Sequence, residues 1–181
     1  MNKKSFIKSF LPHASPIPLA EKFRGGLAGG VSILLLAWML HYLPQHTYPL
    51  LMLASMAASA VLLFAAPHSP FAQPWNLVGG HSVSAIVGWM CCLFIPEPAI
   101  AAGIAVGVTI FLMFVLRCLH PPGAATALTL VLSGTQFSAM GWQWVGEIVM
   151  VNAGLMLLLA LLINNVLPGR KYPVTFGAPT Q

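Results

Sequence analysis

Leu116-Arg117-Cys118-Leu119-His120-Pro121-Pro122-Gly123-Ala124-Ala125-Thr126-Ala127-Leu128 is the stretch on which the fold turns. A long apolar run stops on Arg117, His120 is followed by two prolines, and small residues then lead into a second apolar run. Proline lacks a backbone N–H and its fixed φ suits the first helical turn, so Pro121 and Pro122 predict a helix beginning there. The unpaired N–H groups and positive dipole end of such a helix lie beside His120 and Arg117. In a bilayer interior that combination makes an anion-sized site.

The composition supplies the bilayer. The 181 residues are 58% hydrophobic and 6% charged, with a mean hydropathy of +0.85. Soluble domains carry about a quarter charged residues, so the chain reads as an all-α, polytopic membrane protein. The net charge of +5 comes from only eight Lys and Arg at segment ends, which bears on orientation and excludes a nucleic-acid partner. Three cysteines, two of them adjacent in an apolar run, have neither disulfide nor metal spacing and read as small buried side chains.

Residues 1–24 form a basic, proline-interrupted arm at the headgroups. Membrane segments are expected over 25–43, 48–66, 75–95, 99–116, 121 to about 133, and 142–167, with a loose tail over 168–181. The fifth is short: about 13 residues reach about 20 Å, less than a full hydrocarbon core. Basic residues precede the first segment and follow the fourth and last. Six elements with both termini cytoplasmic put all of them on one side, Arg117 included, in a multi-pass bacterial inner-membrane protein.

An internal repeat divides the membrane domain, 25–167, into halves of about 25–98 and 99–167. Ala57-Ala58-Ser59-Ala60 matches Ala124-Ala125-Thr126-Ala127, and Trp75-Asn76-Leu77-Val78-Gly79 matches Trp142-Gln143-Trp144-Val145-Gly146, both at an offset of 67 (126 − 59 and 142 − 75). Gly30-Val31-Ser32-Ile33 resembles Gly107-Val108-Thr109-Ile110 at an offset of 77. Three elements per half would place the two three-helix halves in inverted orientations, an architecture of transporters and channels. The alternative to a repeat is that Ala, Gly and Trp recur in any membrane helix.

These residues resemble the HPP family of integral membrane proteins, named for this His-Pro-Pro. Two further stretches agree: 59–85, through Pro67, Ser69-Pro70, Ala72-Gln73-Pro74, Asn76 and Gly79-Gly80-His81, and Leu161-Leu162-Ile163-Asn164-Asn165 ahead of Pro168-Gly169-Arg170. The family includes a plant chloroplast protein associated with nitrite transport. The resemblance therefore implies a pathway for nitrite or a similar small anion.

The residues allow two readings at each candidate site. His120, Pro121, Pro122, Gly123 and Thr126 either hold an anion at a helix start, with His120 as donor or proton carrier, or merely begin a short helix. Ser59 is their counterpart in the other half. Arg117 is a positive-inside anchor that also attracts anions to a vestibule. Asn76, Gly80 and Ser84 share a helix face at spacing four, with His81 beside them, and serve either as a pathway lining or as a close helix contact. Glu147 is either a proton carrier or an interfacial acid. With three acidic residues in the chain, no nucleotide loop and no close histidine pair, neither an enzyme, a metal nor another cofactor is expected. The expected function is transport of a small inorganic anion of the nitrite/nitrate type by a homo-oligomer. The rival is a non-transporting assembly or sensor module that binds a protein partner.

Overall fold

The computed structural model describes Phe10, residues 17–43 and residues 52–174, with the backbone alone over 135–140. Helix α1 spans Leu19–Tyr42. Helix α2 is Ser55–Ala60, prolonged by a π-helical turn over Val61–Ala65. A 3-10 turn, Pro70–Ala72, leads to α3, Pro74–Phe94, then α4, Pro98–Val115, α5, Pro121–Leu132, and α6, Thr135–Val166. No strand occurs among the described residues.

Prolines set most of the starts. Pro74, Pro98 and Pro121 each stand in the first turn of their helix, where the missing N–H costs nothing. Glu97 adds a cap to α4 by accepting from the Ala99 N–H at 3.3 Å. Gly141, at φ 75°, breaks α6 into a leading piece and the crossing helix proper, in a conformation that glycine adopts without a Cβ penalty.

Among the described residues four helices are long and apolar enough to cross a membrane: α1, α3, α4 and residues 141–166 of α6. The chain is thus a multi-pass membrane protein. At 1.5 Å per residue α4 is about 27 Å long, close to a hydrocarbon core, whereas α5 is about 18 Å. The element following α1 corrects the expected span over 48–66, since within the described residues it is helical only over Ser55–Ala65. Residues 44–51, which include the first residues of that expected span, lie outside the described residues. Two further boundaries differ. α1 starts at Leu19, inside the expected arm, because Pro18 lets the chain enter a helix before the basic residues end. Residues 168–174 are tied down by the side chains described below.

α3 is the central helix and packs against α4, α5 and α6. One apolar cluster joins α1, α2, α3 and α6 through Leu36, Met56, Leu63, Leu77, Ile148 and Met156. A second joins α3, α4 and α5 through Val87, Ala105, Met113 and Ala127. α3 and α5 approach closely: a Cβ at Gly88 would stand 2.8 Å from the Ala127 Cα.

Side-chain bonds sort the helix ends. Arg170 donates to Glu21 at 2.6 Å and to the Phe64 carbonyl at 2.9 Å, so the start of α1, the end of α2 and the end of α6 share one face. Tyr172 donates to the Ala72 carbonyl at 2.8 Å, and the Val174 N–H to Gln73 Oε1 at 2.9 Å, adding the start of α3. Trp75 Nε1 reaches the Leu116 carbonyl at 3.2 Å, adding the end of α4 and the Arg117 loop. Lys22, Arg24, Arg117, Arg170 and Lys171 therefore stand at the same end of the bundle. Cys92 near the end of α3 meets the Gly134 carbonyl at the opposite end.

Candidate functional site

Five fully or almost fully buried polar side chains converge inside this apolar bundle: Ser55, Ser59, His81, His120 and Thr126. α2 supplies the two serines, one turn apart on its inward face. α3 supplies His81, seven residues beyond Pro74. His120 is the residue before α5, extended at φ −135° and ψ 97°, as a residue ahead of proline prefers. Thr126 lies in the second turn of α5.

They form one continuous chain of hydrogen bonds. Ser55 Oγ and Thr126 Oγ1 are 2.7 Å apart, and Thr126 Oγ1 is 2.8 Å from His81 Nδ1. His81 Nε2 is 3.1 Å from Ser59 Oγ, which is 3.0 Å from His120 Nε2. His120 Nδ1 ends the chain, 2.8 Å from the Phe71 carbonyl. The two imidazoles meet edge to face with centroids 5.0 Å apart.

The protons of this chain follow from its last member. A carbonyl only accepts, so His120 Nδ1 carries the hydrogen and, in a neutral ring, Nε2 accepts. Ser59 must then donate to His120, and having one proton it accepts from His81 Nε2–H. His81 Nδ1 is left as an acceptor for the Thr126 hydroxyl, and Thr126 accepts in turn from Ser55. With both rings neutral every bond runs in one sense, from Ser55 to Phe71. The assignment rests on the partners' chemistry, since hydrogens are inferred rather than seen.

The surroundings hold the chain in register. Asn76 donates to the Leu119 carbonyl at 2.9 Å and fixes the residue next to His120. Gly80 lets that histidine come close: a Cβ there would stand 2.6 Å from the His120 Cβ. Ser84 turns back to the Gly80 carbonyl at 2.6 Å, and Gly123 fits between Ser84 and Met113. The spacing-four face of Asn76, Gly80 and Ser84 thus packs against the loop and the start of α5, while His81 alone of that group joins the polar chain. Pro122 is buried and Pro121 exposed. The start of α5 offers few open donors, because both prolines lack an N–H and the Gly123 N–H is bonded to the His120 carbonyl at 2.8 Å.

Beside the Phe71 end lies an open vestibule of about 480 Å³, lined among others by Phe71, Gln73, Asn76, Met113, Arg117 and Leu119. Arg117 is exposed on its wall, with a left-handed φ of 53°, and makes no ion pair with a described residue. The vestibule floor is clamped from the C-terminal side. Gln73 donates to the carbonyls of Pro67 and Ser69 and accepts from Val174, while Asn165 holds Tyr172 by two bonds of 2.6 and 3.1 Å. Burial pushes the Tyr172 phenol well above its ordinary range, so it remains a donor to Ala72.

Of the residues singled out in the sequence, His120, Thr126, Ser59 and His81 come together, and Asn76 and Arg117 share the vestibule. Ser55, the Phe71 carbonyl and the Gln73–Val174 clamp were not anticipated. Ser55 precedes Ser59 by four residues, a helical spacing that was available to find it. No group of three or more His, Cys, Asp or Glu side chains suited to a metal ion occurs among the described residues.

The sequence model of a family described as "HPP, transmembrane region" matches residues 14–173. Two transmembrane proteins of Dictyostelium discoideum are similar to the chain. One is 42% identical over 153 residues, covering 82% of this chain and 49% of that protein. The other is 38% identical over 165 residues, covering 88% and 57%. The chain thus spans about half the length of these curated relatives. No solved structure matches significantly.

Proposed function

The chain belongs to the HPP transmembrane family, and from that premise and the buried polar chain we propose that it moves a small inorganic anion across a membrane. The observation that carries this is the placing of two histidines and three hydroxyls inside an apolar bundle, ending at a carbonyl on the wall of a vestibule that also holds Arg117. Polar groups within a membrane are costly and mark substrate or ion pathways. Arg117 raises the local anion concentration at the mouth, while the polar groups further in are hydroxyls, imidazoles and amides whose bonds to one another must open for an anion to pass, which suits a weakly held, mobile ion. Nitrite or nitrate fits such a donor set.

The two halves are taken as inverted repeats. The element order supports this, with long, short and long helices in each half. So does the site: Ser59 and Thr126, equivalent at the offset of 67, bond opposite nitrogens of His81. The shared basic end supports a cytoplasmic position for that face.

The full chain, purified and reconstituted in liposomes, is assayed for nitrite, nitrate, chloride and formate flux. Flux that is lost in His120→Ala and kept in Cys91→Ala is expected. Failure to move any of these anions would favour the assembly or sensor module instead.

A further inference from the structure

We propose that the chain from Ser55 through Thr126, His81 and Ser59 to His120 is a proton relay, and that the anion crosses together with a proton. This rests on the anion-transport reading above. Three observations converge. The bonds are continuous, between 2.7 and 3.1 Å, with no gap that requires a water. They all run in one sense, which is the arrangement that lets protons hop in succession. And they end at the carbonyl of Phe71, a residue that lines the solvent-open vestibule together with Arg117.

The transfer balances as follows. A proton accepted at the Ser55 oxygen from a water at the end of the bundle opposite the vestibule releases the Ser55 proton to Thr126, the Thr126 proton to His81 Nδ1, the His81 Nε2 proton to Ser59 and the Ser59 proton to His120 Nε2. His120 then holds the excess as an imidazolium. Its Nδ1 proton leaves to an anion or water in the vestibule, and rotation of the hydroxyls and exchange of the ring tautomers restore the first state. One proton enters, one leaves, and no bond other than O–H and N–H changes.

Charge makes the relay more than a by-product. An anion in a low-dielectric interior needs a compensating cation. The groups that face the two rings are Ser55 and Ser59 from α2, Thr126 from α5, the Phe71 carbonyl from the 3-10 turn and, beside Gly79 and Gly80, Cys118 from the loop. α4 presents Met113 to the start of α5, and α6 presents the apolar Val145, Ile148 and Val149 and the uncharged amide of Asn152, which accepts from the Leu53 N–H at 3.1 Å and donates to the Ile148 carbonyl at 2.9 Å. Among the described residues no Lys or Arg is bonded into the chain, and Arg117 stands outside it on the vestibule wall. The positive charge that accompanies the anion past Ser59 is therefore a proton carried by a histidine.

The test uses the full chain in liposomes at zero membrane potential, clamped with potassium and valinomycin, with nitrate as the first probe. Nitrite is run beside it, corrected for passage of its neutral acid through protein-free vesicles. With one proton per anion, a gradient of one pH unit, acid outside, drives about tenfold accumulation at steady state. Thr126→Val, which keeps the shape and removes the hydroxyl, abolishes that accumulation. Thr126→Ser, which keeps the hydroxyl, retains it. Ser55→Ala breaks the first link at a different helix and serves where Thr126→Val does not fold. Anion flux that follows the membrane potential but ignores the pH gradient overturns the relay and leaves transport standing. Accumulation that persists in both Thr126→Val and Ser55→Ala overturns it too. No flux of either anion under gradient or potential fells the transport reading, and the relay with it.

Discussion

Gly80→Ala is the most searching single change, because one methyl group tests the helix crossing and the polar chain together. A Cβ at Gly80 would lie 2.6 Å from the His120 Cβ and 3.2 Å from the Cys118 carbonyl oxygen. Carbon atoms settle at about 3.5–4.0 Å, so α3 and the loop before α5 must part by about 1 Å. Neither neighbour is the far end of a flexible side chain, so the backbone itself has to move. A shift of that size along the bonds of His120, now 3.0 Å to Ser59 and 2.8 Å to Phe71, takes at least one of them beyond hydrogen-bonding distance. Overpacking costs about 1–3 kcal/mol and a buried orphaned polar group about 1–3 more, against about 1 kcal/mol gained from alanine's helix propensity. The net expectation is a loss of about 3 kcal/mol. Gly107→Ala is the control, because its Cβ would meet nothing within 4 Å and only the propensity gain remains. Reversible unfolding in mixed micelles, with a second readout of anion flux, compares the two. Equal stability of both variants, or a Gly80→Ala protein with undiminished flux, would refute the close approach on which the site is built.

Asn164→Ala removes donors to the Leu63 and Ala160 carbonyls and an acceptor for Arg170, and leaves the Leu63 carbonyl of the π-helical turn without that partner. It is expected to cost about 1–3 kcal/mol by the same unfolding assay. Tyr172→Phe deletes the buried bond to Ala72 while keeping the ring, and costs about 1 kcal/mol with a measurable loosening of the segment over 168–174 by hydrogen exchange. Single cysteines at Arg117 and Lys171, in a background free of the three native cysteines, react with an impermeant thiol reagent from the same side of sealed vesicles. A cysteine at Gly134 reacts from the other side, and any different pattern contradicts the sorting of helix ends.

Much of the helical plan was legible because proline, glycine and charge mark boundaries locally. Pro74, Pro98 and Pro121 begin helices where the sequence places segment starts. The short fifth element is explicit in the 12 residues between His120 and Ser133. The extent of α2 was not legible, since an apolar run over 48–66 looks like a full span by hydropathy alone. Its π-helical end depends on Asn164 and Arg170, about 100 residues away in the sequence. The site shows the same division. His120, Ser59, Thr126 and His81 could be nominated because polar residues in apolar runs stand out. That they form one linked chain, rather than separate contacts, required the crossing of α3 and α5 at Gly80 and Gly123. The C-terminal clamp was missed because the stretches that hold Gln73 and Asn165 do not name their partners, and Gln73, Asn165 and Tyr172 each act on a backbone group supplied by another element.

Stability is a poor explanation for the polar chain. Interhelical hydrogen bonds in membrane proteins average about 0.6 kcal/mol, so each link adds little over a well-packed apolar pair. Breaking a link, in contrast, leaves a buried group unsatisfied at about 1–3 kcal/mol. A bundle selected for stability alone would carry aliphatic side chains at these positions. The positions equivalent to His81 and His120 at the offset of 67 are Ile148 (81 + 67) and Leu53 (120 − 67), both buried and apolar. On the proposed repeat Ser59 and Thr126 correspond, whereas Ser55 falls on Pro122 (55 + 67) and both histidines fall on apolar residues. Hydroxyls pass a proton in either sense, but they do not hold one near neutral pH; imidazole does. On the proposed relay the two imidazoles, bridged by the single Ser59 hydroxyl, are the stations that take up and release the proton in transit. The two histidines, which have no polar counterpart at that offset, are thus what distinguishes a proton route from a row of helix contacts.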